Sequence, residues 1–193
     1  MILLALAVSA TALACTGDSR TTVVGNSADE QQILVRYEQD AEQVEITLAL
    51  VGVDGKQTKS WPILTQADEG DATVRSERWA AAEAELQQLG VTIDPHWKPS
   101  TLGSLGTTLT VETTEQADSD VTVYTQELVA HRGGWSRPME HIGTWTSMDN
   151  PNARLMPSFT QYLLPSKKHL VLAWDASCSS GRVSVYPVAD LVF

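Results

Sequence analysis

Apolar and polar residues alternate at period two over most of this 193-residue chain, and at helical period in one place. Val44, Ile46, Leu48 and Leu50 alternate with Glu45, Thr47 and Ala49, which predicts a strand with one face buried. Ile33 to Tyr37 (ILVRY) reads as a neighbouring strand. Asp54-Gly55 is a strong hairpin turn, so Lys56 to Ile63 is expected to return antiparallel. Pro62 lacks the amide proton a central ladder needs, and so makes that third strand a sheet edge or ends it. The period then changes. Trp79, Ala82, Leu86 and Leu89 share one helical face while Glu77, Glu85 and Gln88 point elsewhere, predicting a helix from about Thr73 or Ser76 to Leu89, with Gly90 as its stop.

Residues 94–106 (DPHWKPSTLGSLG) form a Pro/Gly/Ser-rich connection, the one place where a subdomain boundary is expected. Short strands follow: Thr107 to Thr113, Val121 to Leu128, segments near His131 and His141, Leu155 to Leu163, and His169 to Asp175 with Arg182 to Pro187 as a hairpin. The expected fold class is α+β, mainly antiparallel β-sheet built of hairpins and meanders, with one packed amphipathic helix. A single domain is expected over residues 31–193, after the segment read below as a tether.

One internal repeat stands out in HRGGWSRPMEHIGTWT. His131, Gly133 and Trp135 recur ten residues later as His141, Gly143 and Trp145. Positions i, i+2 and i+4 of a strand share a face. Folded as a hairpin around Pro138, the copies would set His131 against Trp145, Gly133 against Gly143 and Trp135 against His141. Two His–Trp pairs would then flank a glycine floor suited to a flat ligand, a glycan ring or a stretch of protein backbone. The competing expectation is structural, since cross-strand aromatic pairs stabilise sheets by about 0.2–1 kcal/mol each.

Catalytic chemistry is thinly represented. No G-x-S-x-G, P-loop, H-E-x-x-H, C-x-x-C or dinucleotide fingerprint occurs, and no cofactor is expected. An envelope hydrolase or metal-dependent enzyme would have to draw on His131, Glu140, His141 or Cys178. In the expected hairpin the two histidines are roughly 13 Å apart along the strands, too far to share an ion, so no metal site is expected. A non-catalytic binding or structural module is the favoured function. Trp97, beside Lys98-Pro99 in the connection, is the tryptophan expected to be exposed.

The chain opens on an apolar run, Met1 to Ala14, broken only by Ser9 and Thr11. As a helix it would reach roughly 21 Å, short of a bilayer core of about 30 Å, and it has the length of a signal-peptide apolar region. Ala12-Leu13-Ala14-Cys15 resembles the lipobox of bacterial lipoproteins. That resemblance implies cleavage before Cys15, a diacylglycerol thioether on its sulfur, and a protein lipid-anchored in the cell envelope with the membrane as partner. Ala12 stands where the family prefers Leu, Val or Ile, and Leu13 where it prefers a smaller residue. Residues 15–30 (CTGDSRTTVVGNSADE), poor in apolar periodicity, are expected to be a flexible tether of roughly 20–25 Å. A lipidated Cys15 would leave Cys178 a lone thiol, whereas ordinary signal cleavage would let the two form a disulfide.

Charge narrows the partners further. The net charge is −11 and uneven: Cys15 to Ala130 carries 20 acids against 7 bases, His131 to Phe193 only 4 against 6. With no basic run, nucleic acid is disfavoured as a partner.

Overall fold

The run Leu170-Val171-Leu172-Ala173-Trp174 contains no polar residue because it lies between two cores. Leu170, Leu172 and Trp174 enter one of them, Val171 and Ala173 the other, and all five are buried. A strand covered on both faces needs apolar side chains at every position. The structure, a computed structural model, describes residues 18–40, 44–68, 70–94, 96–118, 120–148, 158–177 and 181–192. Its elements are β1 (Asp18–Ser27), β2 (Gln32–Asp40), β3 (Val44–Gly52), β4 (Gln57–Leu64), α1 (Ala72–Gln88), β5 (Val91–Ile93), β6 (Thr107–Asp118), β7 (Val121–Arg132), β8 (Trp135–Thr146), β9 (Ser158–Leu163), β10 (His169–Ser177), β11 (Arg182–Pro187) and α2 (Val188–Leu191).

The fold is α+β, with antiparallel strands stacked in layers. β1 to β4 form a meander with β5 added beside β1; β9, β10 and β11 form a second layer; β6, β7 and β8 form a third. The first two layers join at a corner, where Asp18 and Ser19 of β1 pair with Ser177 and Ala176 of β10. Helix α1 covers the outside of the first layer through Ala82 and Leu86, which pack with Val24, Leu34, Leu48 and Leu50. The opposite face of that layer sets Val23, Ile33, Val35 and Val51 against Tyr162, Val171 and Ala173. On the far side of β10, Leu170, Leu172 and Trp174 meet Leu109, Leu128 and Ala130 of the third layer, with Val188 and Leu191 of α2 closing the end.

Several sequence expectations hold. The Asp54-Gly55 hairpin joins β3 to β4, Gly55 has φ of 78°, and β4 is an edge strand with a register shift beside Pro62. β10 and β11 pair as a hairpin. The helix begins slightly earlier than expected, because Asp71 caps it by accepting hydrogen bonds from the amides of Thr73 and Val74. Leu89 is not on the packed face; it follows the last turn and is exposed.

Two corrections concern burial. β3 is not half-buried, since Ala49 and Val51 are as enclosed as Leu48 and Leu50. The tether expected over residues 15–30 is, from Asp18 onward, a strand inside the sheet, paired with β2 along its length. Its polar side chains hid it: Thr21 is buried yet satisfied, its hydroxyl donating to the Trp174 carbonyl at 2.7 Å and its amide to Asp175 Oδ1 at 2.8 Å. A buried hydroxyl with a partner carries little penalty, so a central strand tolerates it. Cys15 and Cys178 lie outside the described residues, as do residues 1–14 and 155–157. Among the described residues no helix is long and apolar enough to cross a membrane.

Candidate functional site

The repeated His-x-Gly-x-Trp motif does not form the expected hairpin. His131 lies near the end of β7, Gly133 and Gly134 make the turn with φ of 56° and 87°, and Trp135 starts β8. His141, Gly143 and Trp145 follow on the same strand. Pro138 is not a turn residue; it is accommodated within β8 because β8 is an edge strand with a register shift beside it. The true partners are Trp135 with Arg132, His141 with Glu127, Gly143 with Gln126 and Trp145 with Tyr124. Trp135 is 75% exposed, while Trp145 is half-buried and stacked on Tyr124 with centroids 5.6 Å apart. Their partners on β7 are Arg132 and Tyr124, so eight residues of strand hold the two indoles roughly 26 Å apart. No aromatic floor-and-wall patch results.

The residues considered for catalysis are also dispersed. His131 Nδ1 is 2.9 Å from Ser136 Oγ, and its Nε2 is 2.9 Å from Glu112 Oε1 and 2.8 Å from Thr110 Oγ1. This Ser–His–Glu line runs across an exposed sheet face rather than a cleft, where nothing excludes water or collects oxyanion donors. Glu140 turns the other way, toward the second layer. It takes Arg182 Nη1 at 2.8 Å and the Ser184 hydroxyl at 2.9 Å, and also accepts from the Tyr186 phenol. Trp174 Nε1 donates to Ser184 Oγ at 3.0 Å, and the Arg182 guanidinium lies 5.0 Å from the Trp174 ring centre. Burial, then the adjoining carboxylate, pushes the Tyr186 phenol far above its ordinary range. Glu140 therefore fastens β8 onto β11. Among the described residues no group of three or more His, Cys, Asp or Glu side chains could hold a metal ion.

A concave surface of mixed polarity lies elsewhere, between the first two layers beside their shared corner. A groove of about 400 Å³ runs there, with Tyr37, Gln39, Glu45, Thr47, Gln57 and Arg182 among its walls and Val51 and Val183 as its apolar patches. Strand register builds it. Ser19, Gln39 and Glu45 form one cross-strand row, and Thr21, Tyr37 and Thr47 the next, on the face that carries Ile33 and Val35 further along. Where β11 leaves this face uncovered, the inward positions turn from apolar to polar. Glu45 to Val51 spans roughly 20 Å of strand, so the groove is long. Burial raises the Tyr37 phenol above its ordinary range, keeping it neutral and able to donate. Gly181 at the rim is required by close approach: a Cβ there would lie 1.9 Å from Thr21 Oγ1 and 3.0 Å from the Trp174 carbonyl oxygen.

Sequence reasoning missed this groove because β1 was read as a tether and Glu45 and Thr47 as a solvent face. One signal was present: Tyr37 and Gln39 continue the inward parity of Ile33 and Val35 with hydrogen-bonding side chains. Trp97, expected to be exposed, is half-buried against the core between the first two layers. No family model, curated protein or solved structure matches the chain.

Proposed function

We propose that this chain is a non-catalytic binding module whose interlayer groove holds a neutral glycan. The observation that carries the reading is the groove's lining, in which a half-buried tyrosine is surrounded by amide, hydroxyl and carboxylate side chains. Neutral hydroxyl-rich rings need such groups, an aromatic surface for their C–H faces and paired donors and acceptors at their edges. A peptide ligand fits less well, because its side chains call for apolar pockets and Val51 and Val183 offer little area. With full-length protein and a panel of cellotriose, maltotriose and chitotriose, at least one trisaccharide should bind saturably. Tyr37→Ala and Gln39→Ala should each weaken that binding about tenfold, and Trp135→Ala should leave it unchanged. Binding of none, or equal affinity in the Tyr37 and Gln39 variants, would refute the assignment.

The second element is location. The apolar run from Met1 to Ala14 and the lipobox-like Ala12-Leu13-Ala14-Cys15 support lipid attachment at Cys15 in a cell envelope. Only Thr16 and Gly17 separate Cys15 from the start of β1, so the body would rest against the headgroups instead of hanging from a leash of roughly 20–25 Å. Labelled palmitate should enter the wild-type protein in a bacterial host and be absent from Cys15→Ser. Label retained in that variant, or missing from the wild type, would contradict the anchor.

A further inference from the structure

Helix α1 touches the first layer unevenly. Ala82 and Leu86 are its buried residues, and the first two turns, Ala72 to Trp79, bury none. The helix therefore stands off the sheet at its N-terminal end. A cavity of about 370 Å³ fills the gap, with Ile46, Ile63 and Arg36 on the sheet side and Arg75, Ser76 and Trp79 on the helix side.

Its charge is unusual for this chain. Two guanidiniums line one small cavity in a region where acids outnumber bases 20 to 7. Arg75 has no acidic partner among the described residues. Asp68, which might have served it from nearby in sequence, is held by Arg78 at 2.6 and 3.0 Å and by Thr65. Arg36 gives one Nη2 bond to Glu38 at 2.7 Å, but its Nε is shielded from solvent with no acceptor. A shielded N–H without a partner is uncommon in folded proteins and calls for an explanation.

We propose that this cavity binds a small aromatic carboxylate. Its carboxylate would take the fork of Arg75 and supply the acceptor that Arg36 Nε lacks, since planar guanidinium groups match carboxylates bidentately. Its ring would lie against the Trp79 indole over the Ile46–Ile63 floor, aromatic pairs favouring such offset contact. The cavity's size, near the lower end for ligand sites, limits the occupant to one or two rings. This site is on the opposite face of the first layer from the glycan groove and does not depend on it.

The test uses full-length ¹⁵N-labelled protein, with the Trp79 indole N–H resonance identified by its loss in Trp79→Phe. Benzoate should move that resonance saturably. Benzamide, the same ring without charge, and inorganic phosphate, charge without a ring, should each bind at least tenfold more weakly. Arg75→Gln, an exposed helical substitution that keeps the fold, should weaken benzoate binding at least tenfold and leave the remaining spectrum dispersed. No saturable shift with benzoate, equal binding of benzamide or phosphate, or unchanged affinity in Arg75→Gln would each overturn the proposal.

Discussion

Replacing Trp174 with alanine should destabilise the protein by about 3–5 kcal/mol, the cost of emptying a fully buried indole site. Trp174 is 1% exposed, packs against Phe159 with ring centroids 5.0 Å apart, donates to Ser184 and carries the Arg182 guanidinium over its face. It joins the core between the second and third layers to the polar network beside it. Trp174→Phe keeps most of the apolar area and should cost appreciably less, with the lost hydrogen bond contributing about 1 kcal/mol. Urea unfolding of both variants measures the difference. An alanine variant within about 0.5 kcal/mol of wild type would mean that the second and third layers do not pack through this residue.

Removing the Glu140 carboxylate should have the next largest effect, about 2–3 kcal/mol for Glu140→Ala. One carboxylate accepts from Ser184, Tyr186 and Arg182, so its loss leaves the half-buried hydroxyls of Ser184 and Tyr186 without their acceptor. Glu140→Gln, which keeps one acceptor oxygen, should lose less. A double-mutant cycle with Tyr186→Phe should show coupling between the two sites. The phenol also gives the interface a pH dependence with a definite sign. Its folded-state pKa is raised, so the neutral form is the one the fold stabilises. That contribution is complete below about pH 10, the ordinary phenol range, and is lost as pH rises beyond it. Wild-type stability should thus fall more steeply than that of Tyr186→Phe above about pH 10. Parallel profiles, or no coupling in the cycle, would remove Glu140 from its role as the fastening between β8 and β11.

The sequence was most informative where one physical demand acts on each position. β3 and β4 carried both a period-two pattern and a turn signal, and the α1 face around Ala82 and Leu86 had no competing reading. Legibility failed where tertiary contacts supply what local pattern lacks. β1 contains only Val23 and Val24 as large apolar residues, and Thr21 is tolerated inside because β10 satisfies its hydroxyl and its amide. The His-x-Gly-x-Trp repeat was read at period two, and neither copy keeps it: a turn interrupts the first, and a register shift between His141 and Gly143 interrupts the second. Gly133-Gly134 was the turn, as two consecutive residues with positive φ require, and Pro138 sat within an edge strand. Moving the turn from Pro138 to Gly133-Gly134 separated every pair the motif was expected to join. The interlayer groove and the Arg36–Arg75 cavity each combine residues from separate elements, and no linear spacing announces such a meeting.

The binding assignment rests on Tyr37 meeting its ligand where the first two layers part. Intermolecular nuclear Overhauser effects, recorded on the full-length chain with whichever trisaccharide binds, test this most directly. Contacts between sugar ring protons and the Tyr37 ring, accompanied by Thr47 and Gln39, are the expected result. Contacts confined to Trp135 or to other surfaces of the β6–β8 sheet, with none to Tyr37, would contradict it.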